Sequence, residues 1–193
     1  MKKDIILAGV GGQGILSIAT IIGYAAIESG LNLKQAEVHG MSQRGGDVQS
    51  HLRISDKEIY SDLIPHGGAD MIISVEPMEA LRYIPYLSEH GWLITNTKPF
   101  VNIPNYPDLE KLMGEIKAIQ NHVAIDADRI AKDLNASRSM NMVVLGAASS
   151  FLDLSYEMLE QGIKFIFGKK GEKVVEANLK AMRTGKDFAE KYH

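Results

Sequence analysis

An open α/β sheet, mostly parallel, with an inserted β-hairpin and a helical C-terminal part is the fold class this sequence predicts. Short apolar runs of strand length alternate with helix-length patterns as far as Ile125. A glycine-rich turn, Gly9-Val10-Gly11-Gly12-Gln13-Gly14, falls between the first apolar run and the first helical pattern. Beyond Asp126 the chain reads as helix alone.

In order, Asp4 to Val10 reads as a buried strand and Gly14 to Ser29 as a helix closed by Gly30. Lys34 to His39 is a second strand. Val48 to Ile54 alternates Val48, Ser50, Leu52 and Ile54 on one face, and Ser55-Asp56-Lys57 turns it toward Glu58-Ile59-Tyr60 as an antiparallel hairpin. Met71 to Val75 is another buried strand. Pro77 is placed to start a helix that runs to about His90, before a strand over Trp92 to Asn96. Pro99 to Pro107 reads as irregular, Leu109 to Lys117 as a helix and His122 to Ile125 as the final strand. Asp126 and Ser139 are N-cap candidates for helices over Ala127 to Leu134 and up to Phe151. Gly171 to Tyr192 carries Val175, Leu179, Met182 and Ala189 on one stripe, the mark of an amphipathic helix docked on a core.

The chain has 193 residues, enough for one domain with a full core, and a single domain over 1–193 is expected. A net charge of -3 argues against a general polyanion-binding surface, so no nucleic-acid partner is expected. With no cysteine, the chain has no disulfide, no thiolate nucleophile and no thiolate ligand for zinc or an iron–sulfur cluster. Met1-Lys2-Lys3-Asp4 leads into an apolar run too short for a signal segment, and no window approaches a membrane span. Cytoplasm is the expected compartment.

Two loops carry the chemistry. Gly9, Gly11 and Gly14 fit the dinucleotide fingerprint in a strand-turn-helix setting, with expected roles of tight turn, close backbone approach and close helix packing. Gly12 adds a bare amide and Gln13 a donor or acceptor, so a Rossmann-like phosphate contact is one reading and a packing turn the other. For a dinucleotide, Glu37 is the acid available to hold a ribose. The second loop, His39-Gly40-Met41-Ser42-Gln43-Arg44-Gly45-Gly46, sets a hydroxyl, an amide and a guanidinium beside two glycines, a set suited to phosphate or carboxylate. Arg44 paired with Asp47 or Asp62 is the structural reading of the same residues. His39, Gln49, His51 and Arg53 are at alternate positions, but nothing completes a metal site around His39 and His51, so no metal is expected.

Asn141 is the large polar group on an otherwise apolar helix whose Gly146, Ala147 and Ala148 permit close approach of another backbone. It serves either a site or a tie from the helix start to a loop of its own chain. No nucleophile elbow, carboxylate pair or P-loop lysine appears, and no catalytic residue is assigned.

The ordered set Gly-Val-Gly-Gly-Gln-Gly (9 to 14), Met-Ser-Gln-Arg-Gly-Gly (41 to 46) with Val48 and Arg53-Ile54-Ser55, Gly68-Ala69-Asp70, and Asn141 to Ala147 resembles the gamma-type domain of 2-oxoacid:ferredoxin oxidoreductases across nearly the whole chain. His39 and Gln43 replace the tyrosine and glutamate of the Tyr-Gly-x-Glu-Met-Arg-Gly-Gly form common in the pyruvate branch. The loop is similar instead to that of the indolepyruvate branch's small subunit. The resemblance implies oxidation of an arylpyruvate with coenzyme A as co-substrate and ferredoxin as acceptor. It implies a large (alpha) subunit as partner, holding thiamine diphosphate, Mg2+ and the [4Fe-4S] clusters, with no cofactor bound by this chain alone. It further implies anaerobic metabolism. Gly11, Gly12, Gln13 and Gly14 are expected to present amides to a phosphate or a partner loop, and Ser42 and Arg44 to face the large subunit near its active site. His39, Arg53 and Asn141 are supporting candidates. A nicotinamide-dependent oxidoreductase and a non-catalytic assembly module are the competing readings, and a homodimer of the isolated chain stays open.

Overall fold

β1 (Lys2–Val10) is buried from Asp4 to Val10, because both faces of the sheet are covered at this strand. The computed structural model describes residues 1–40 and 45–192, and of His39 the backbone alone. Along the chain follow α1 (Ile15–Glu28), β2 (Asn32–His39), β3 (Asp47–Ser55), β4 (Ala69–Ser74), α2 (Pro77–Arg82), β5 (Leu87–Asn96), α3 (Leu109–Ala118), β6 (His122–Ile125), α4 (Ala127–Asp133), α5 (Met140–Ser149), α6 (Tyr156–Phe167) and α7 (Glu172–Ala189).

The six strands lie in the order β2-β3-β1-β4-β5-β6. β4 is parallel to β1 and to β5, β6 is parallel to β5, and β3 runs antiparallel to both β1 and β2. Alternation sorts the side chains into two cores. Ile5 and Leu7 join Met71, Ile73 and Ile94 under α1, α5 and α7, whereas Ile6 and Ala8 join Ile72 and Leu93 under α2 and α3. Each fully buried isoleucine or leucine contributes about 1.5–3 kcal/mol.

The expected open sheet with its antiparallel hairpin is present. The hairpin's arms are β2 and β3, in register from Asn32↔Ser55 to His39↔Val48, and Glu58 to Tyr60 form no strand. The helix opened by Pro77 stops at Arg82, well short of His90, and Ile84–Tyr86 form a 3₁₀ turn containing Pro85, which has no N–H to continue a helix. β5 therefore begins at Leu87, and its polar start with a register shift against β4 hid it from an apolar search. Asp126 caps α4 through its side chain, as expected, whereas Ser139 precedes α5 without a side-chain cap bond. α6 has no counterpart in the sequence reading.

α5 is buried on all sides between the sheet and α7. Gly146 and Gly185 make the contact: a Cβ on Gly146 would lie 1.9 Å from the Met182 carbonyl oxygen, and one on Gly185 1.9 Å from that of Val143. The small residues of α5 do what their size suggested, with a matching glycine on α7.

Candidate ligand cleft and interface loops

Both glycine loops meet at the C-terminal end of β1, and backbone bonds join them. The Gly11 N–H donates to the Gly46 carbonyl at 2.8 Å, and the Gly45 N–H reaches the Gly11 carbonyl at 3.5 Å. The Gly11 amide is thus committed to the second loop. Gln13 folds back on its own turn, its Oε1 accepting the Val10 N–H at 2.8 Å. The glycine requirements differ from the fingerprint's. Gly9 is still in β1, and a Cβ there would lie 2.4 Å from Val75 Cγ2, so close packing replaces the expected tight turn. Positive φ falls at Gly12 (100°) and Gly14 (81°) instead.

Gly14 is the N-cap of α1, with no side-chain cap and no acid in the first turn. The positive end of the helix dipole is therefore uncompensated. Asn141 Nδ2 donates to the Gly14 carbonyl at 3.0 Å while its Oδ1 accepts the Met142 N–H at 3.1 Å. The expected tie from the helix start to a loop of the same chain is present, and that loop is the glycine turn.

A cleft of about 680 Å³ opens beside this turn. Gly12, Gly14 and Ser17 line one wall, the α4–α5 connection with Arg138 and Ser139 a second, and Lys170 and Lys173 the third. Among the described residues no aspartate or glutamate lines it. Lys170 is over the Phe167 ring at 5.2 Å, and among the described residues neither Arg138 nor Lys173 makes an ion pair. Ser139 is 4% exposed. Bare amides, a helix N-terminus and cations without opposing acids are chemistry suited to an anion, above all phosphate. The sequence reading missed Arg138, Lys170 and Lys173. The glycine-flanked basic run Gly168-Lys169-Lys170-Gly171 was the available signal.

The other candidates disperse. Ser42, Gln43 and Arg44 lie outside the described residues, as does the side chain of His39. Arg53 is at the opposite end of the sheet from the loops, about 20 Å along β1 at strand rise. Its guanidinium grips Asp4 at 2.8 and 2.9 Å and the carbonyls of Ser61 and Leu63 at 3.0 Å. His51 is buried, its Nδ1 accepting the Ile64 N–H at 2.9 Å. Burial, with Arg53 second, pushes its pKa below the usual histidine value. Among the described residues no cluster of three potential metal ligands occurs. Glu37 is on β2, which β3 separates from β1, at the level of Leu7 and two strand spacings or about 10 Å from it, so farther still from the glycine turn. The nicotinamide reading loses its ribose acid.

Pro99 to Pro107 is irregular, as expected, and belongs to a strap over residues 97–107 that crosses this end of the sheet, a placement the sequence reading did not give. Asn102 Nδ2 donates to the Gly45 carbonyl at 2.6 Å, and the wholly buried Glu76 accepts the Phe100 N–H at 3.1 Å and the Tyr106 hydroxyl. Burial and the Glu76 carboxylate raise the Tyr106 pKa.

The pyruvate ferredoxin/flavodoxin oxidoreductase family matches residues 4–188. The chain belongs to that family. Indolepyruvate oxidoreductase subunit IorB of Archaeoglobus fulgidus is 37% identical over 194 residues, 96% of this chain and 94% of that protein. Among solved structures, the gamma subunit of a keto/oxoacid ferredoxin oxidoreductase from Geobacter sulfurreducens aligns with TM-score 0.69 and 27% identity, over 97% of this chain and 98% of that one. The 2-oxoglutarate:ferredoxin oxidoreductase of Magnetococcus marinus, with 2-oxoglutarate, coenzyme A and succinyl-CoA bound, aligns with TM-score 0.78 and 26% identity. There the match covers 98% of this chain but 31% of that one. The chain is therefore a gamma-type oxidoreductase subunit, built to work with a larger partner. Among the described residues no helix is long and apolar enough to cross a membrane.

Proposed function

We propose that this chain, one gamma-type domain over 1–193, is the small subunit of a cytoplasmic indolepyruvate (arylpyruvate):ferredoxin oxidoreductase. An arylpyruvate and coenzyme A give the aryl-acetyl-CoA and carbon dioxide, and the electron pair released reduces ferredoxin. The IorB relative at 37% identity supports the arylpyruvate branch.

The chain's own residues do not fit the redox groups. It has no cysteine for a cluster, and its described residues offer no cluster of three metal ligands. Thiamine diphosphate, its Mg2+ and the clusters are accordingly assigned to the large subunit. What this chain supplies is the acid-free cleft at Gly12 to Gly14, which carries the proposal. Arg138, Lys170 and Lys173 there would hold the phosphates of coenzyme A while its thiol reaches into the partner. Ser42 and Arg44, on the loop braced by Gly11, would face the large subunit.

The deciding experiment is anaerobic co-expression with the large subunit, followed by dye reduction dependent on arylpyruvate and coenzyme A. Activity that requires both chains supports the proposal. Full activity from the large subunit alone, or NAD(H) binding by this chain, overturns it.

A further inference from the structure

The strap over residues 97–107 has no regular structure, yet it is held in one shape at some cost. Ordering irregular backbone opposes folding through lost conformational entropy. Burying a carboxylate costs several kcal/mol more unless its oxygens are satisfied. Glu76 is 0% exposed and satisfied without a cation: Oε2 takes the Glu79 N–H at 2.8 Å, and Oε1 takes the Phe100 N–H and the Tyr106 hydroxyl. The strap that this carboxylate fixes turns its apolar side chains outward, with Phe100 43%, Val101 69% and Ile103 41% exposed. A ridge of large apolar groups, preorganised and left in water, is the form of a docking element.

Two observations identify the occupant. This fold is a free-standing gamma subunit in the Geobacter sulfurreducens protein but 31% of a longer chain in that of Magnetococcus marinus, so a separate subunit must gain non-covalently what fusion supplies there. Asn102 also ties the strap to Gly45, placing the ridge on the edge where the glycine loops and the cleft open. A second exposed patch, at Ile27 and Phe165, has no such continuity with the cleft.

We propose that the Phe100–Val101–Ile103 ridge, latched by Glu76 and Tyr106, docks into an apolar recess of the large subunit. This rests on the subunit reading above, but its test reads assembly rather than turnover. Hydrogen exchange would be compared between the free chain and the co-expressed complex, and affinity measured for Val101→Asp, Ile103→Asp and Phe165→Asp chains. Exchange across 98–107 is expected to slow at least tenfold in the complex. Val101→Asp and Ile103→Asp should weaken assembly at least tenfold at unchanged Tm of the isolated chain, and Phe165→Asp should leave it unaltered. Wild-type affinity in Val101→Asp, or protection confined to the Ile27 and Phe165 patch, overturns the proposal. A homodimer of the isolated chain that Val101→Asp splits would assign the ridge to a second copy and overturn it too. A complex that assembles through the ridge but oxidises no arylpyruvate leaves the interface standing and removes the functional reading.

Discussion

Asn141 occupies the space into which a side chain on Gly14 would project. A Cβ at Gly14 would lie 2.4 Å from Asn141 Nδ2, the atom that donates to the Gly14 carbonyl, and the backbone there has φ 81°. Gly14→Ala should therefore cost about 1–2 kcal/mol for the left-handed conformation plus a further clash. Asn141→Ala should cost about 1–3 kcal/mol through the loss of its two hydrogen bonds, to the Gly14 carbonyl and from the Met142 N–H. In the Asn141→Ala background the clash is gone, so Gly14→Ala should cost less than it does alone. Urea denaturation of the four chains measures that coupling, and simple additivity would show that the two residues do not share the space.

The cleft predicts a separation of binding from chemistry. Arg138→Ala and Lys173→Ala should each raise KM for coenzyme A about tenfold in the assembled enzyme, the equivalent of 1.4 kcal/mol, and leave kcat within about twofold. Added salt should raise the wild-type KM more than that of the double variant, because screening removes what the substitutions have already removed. Equal losses in kcat would place these cations at the reacting centre instead.

The parts of the fold with a strong local signal were legible. β1, α1 and β6 announce themselves by continuous apolar runs, helical spacing and a capping aspartate, and the glycine turn marked the correct end of the sheet. The hairpin's partner was misassigned because β2 is an edge strand with Asn32, Lys34, Gln35 and Val38 exposed, so its sequence carries little apolar alternation. The cleft was half visible. Gly12 and Gly14 stand out in any reading, whereas Lys170 and Lys173 come from the far end of the chain and reach the cleft only because α6 and α7 fold back over α1 and α5. Arg53 misled for the opposite reason. A guanidinium near a glycine loop in sequence is, once β3 is extended, a strand's length away and bound to Asp4.

The α5–α7 contact predicts a sharp contrast among glycine substitutions. Gly146→Ala and Gly185→Ala each drive a methyl group against a backbone carbonyl at 1.9 Å, which neither helix can relieve by rotating a side chain. Each should cost about 3 kcal/mol or more, at the upper end of overpacking. Gly114, inside α3, has nothing within 4 Å of a built Cβ, and Gly114→Ala should stabilise by about 0.5–1 kcal/mol through helix propensity. Chemical denaturation in parallel checks the ordering, and a tolerated Gly185→Ala would mean that α7 packs farther from α5.

His51 gives the acid limb of stability its sign. It is buried in the neutral form, with Nδ1 already accepting the Ile64 N–H, so a proton at Nδ1 would face a donor and break that bond. Its folded pKa lies below the unfolded value of 6.5, for which desolvation is the main cause and Arg53 the second, while Asp62 opposes both. The unfolded chain thus binds the proton more readily. The contribution is complete above pH 6.5 and is lost as pH falls from there through the lowered folded value. Glu79 acts in the opposite sense. Burial raises its folded pKa above 4.5, with Arg82 opposing, so its penalty to the folded state grows as pH rises from 4.5 through that raised value. Comparing wild type with His51→Gln isolates the histidine. The urea midpoint of the wild type should drop faster between pH 7.5 and 5.5 than that of the variant, and parallel curves would show that folding leaves the His51 pKa unshifted.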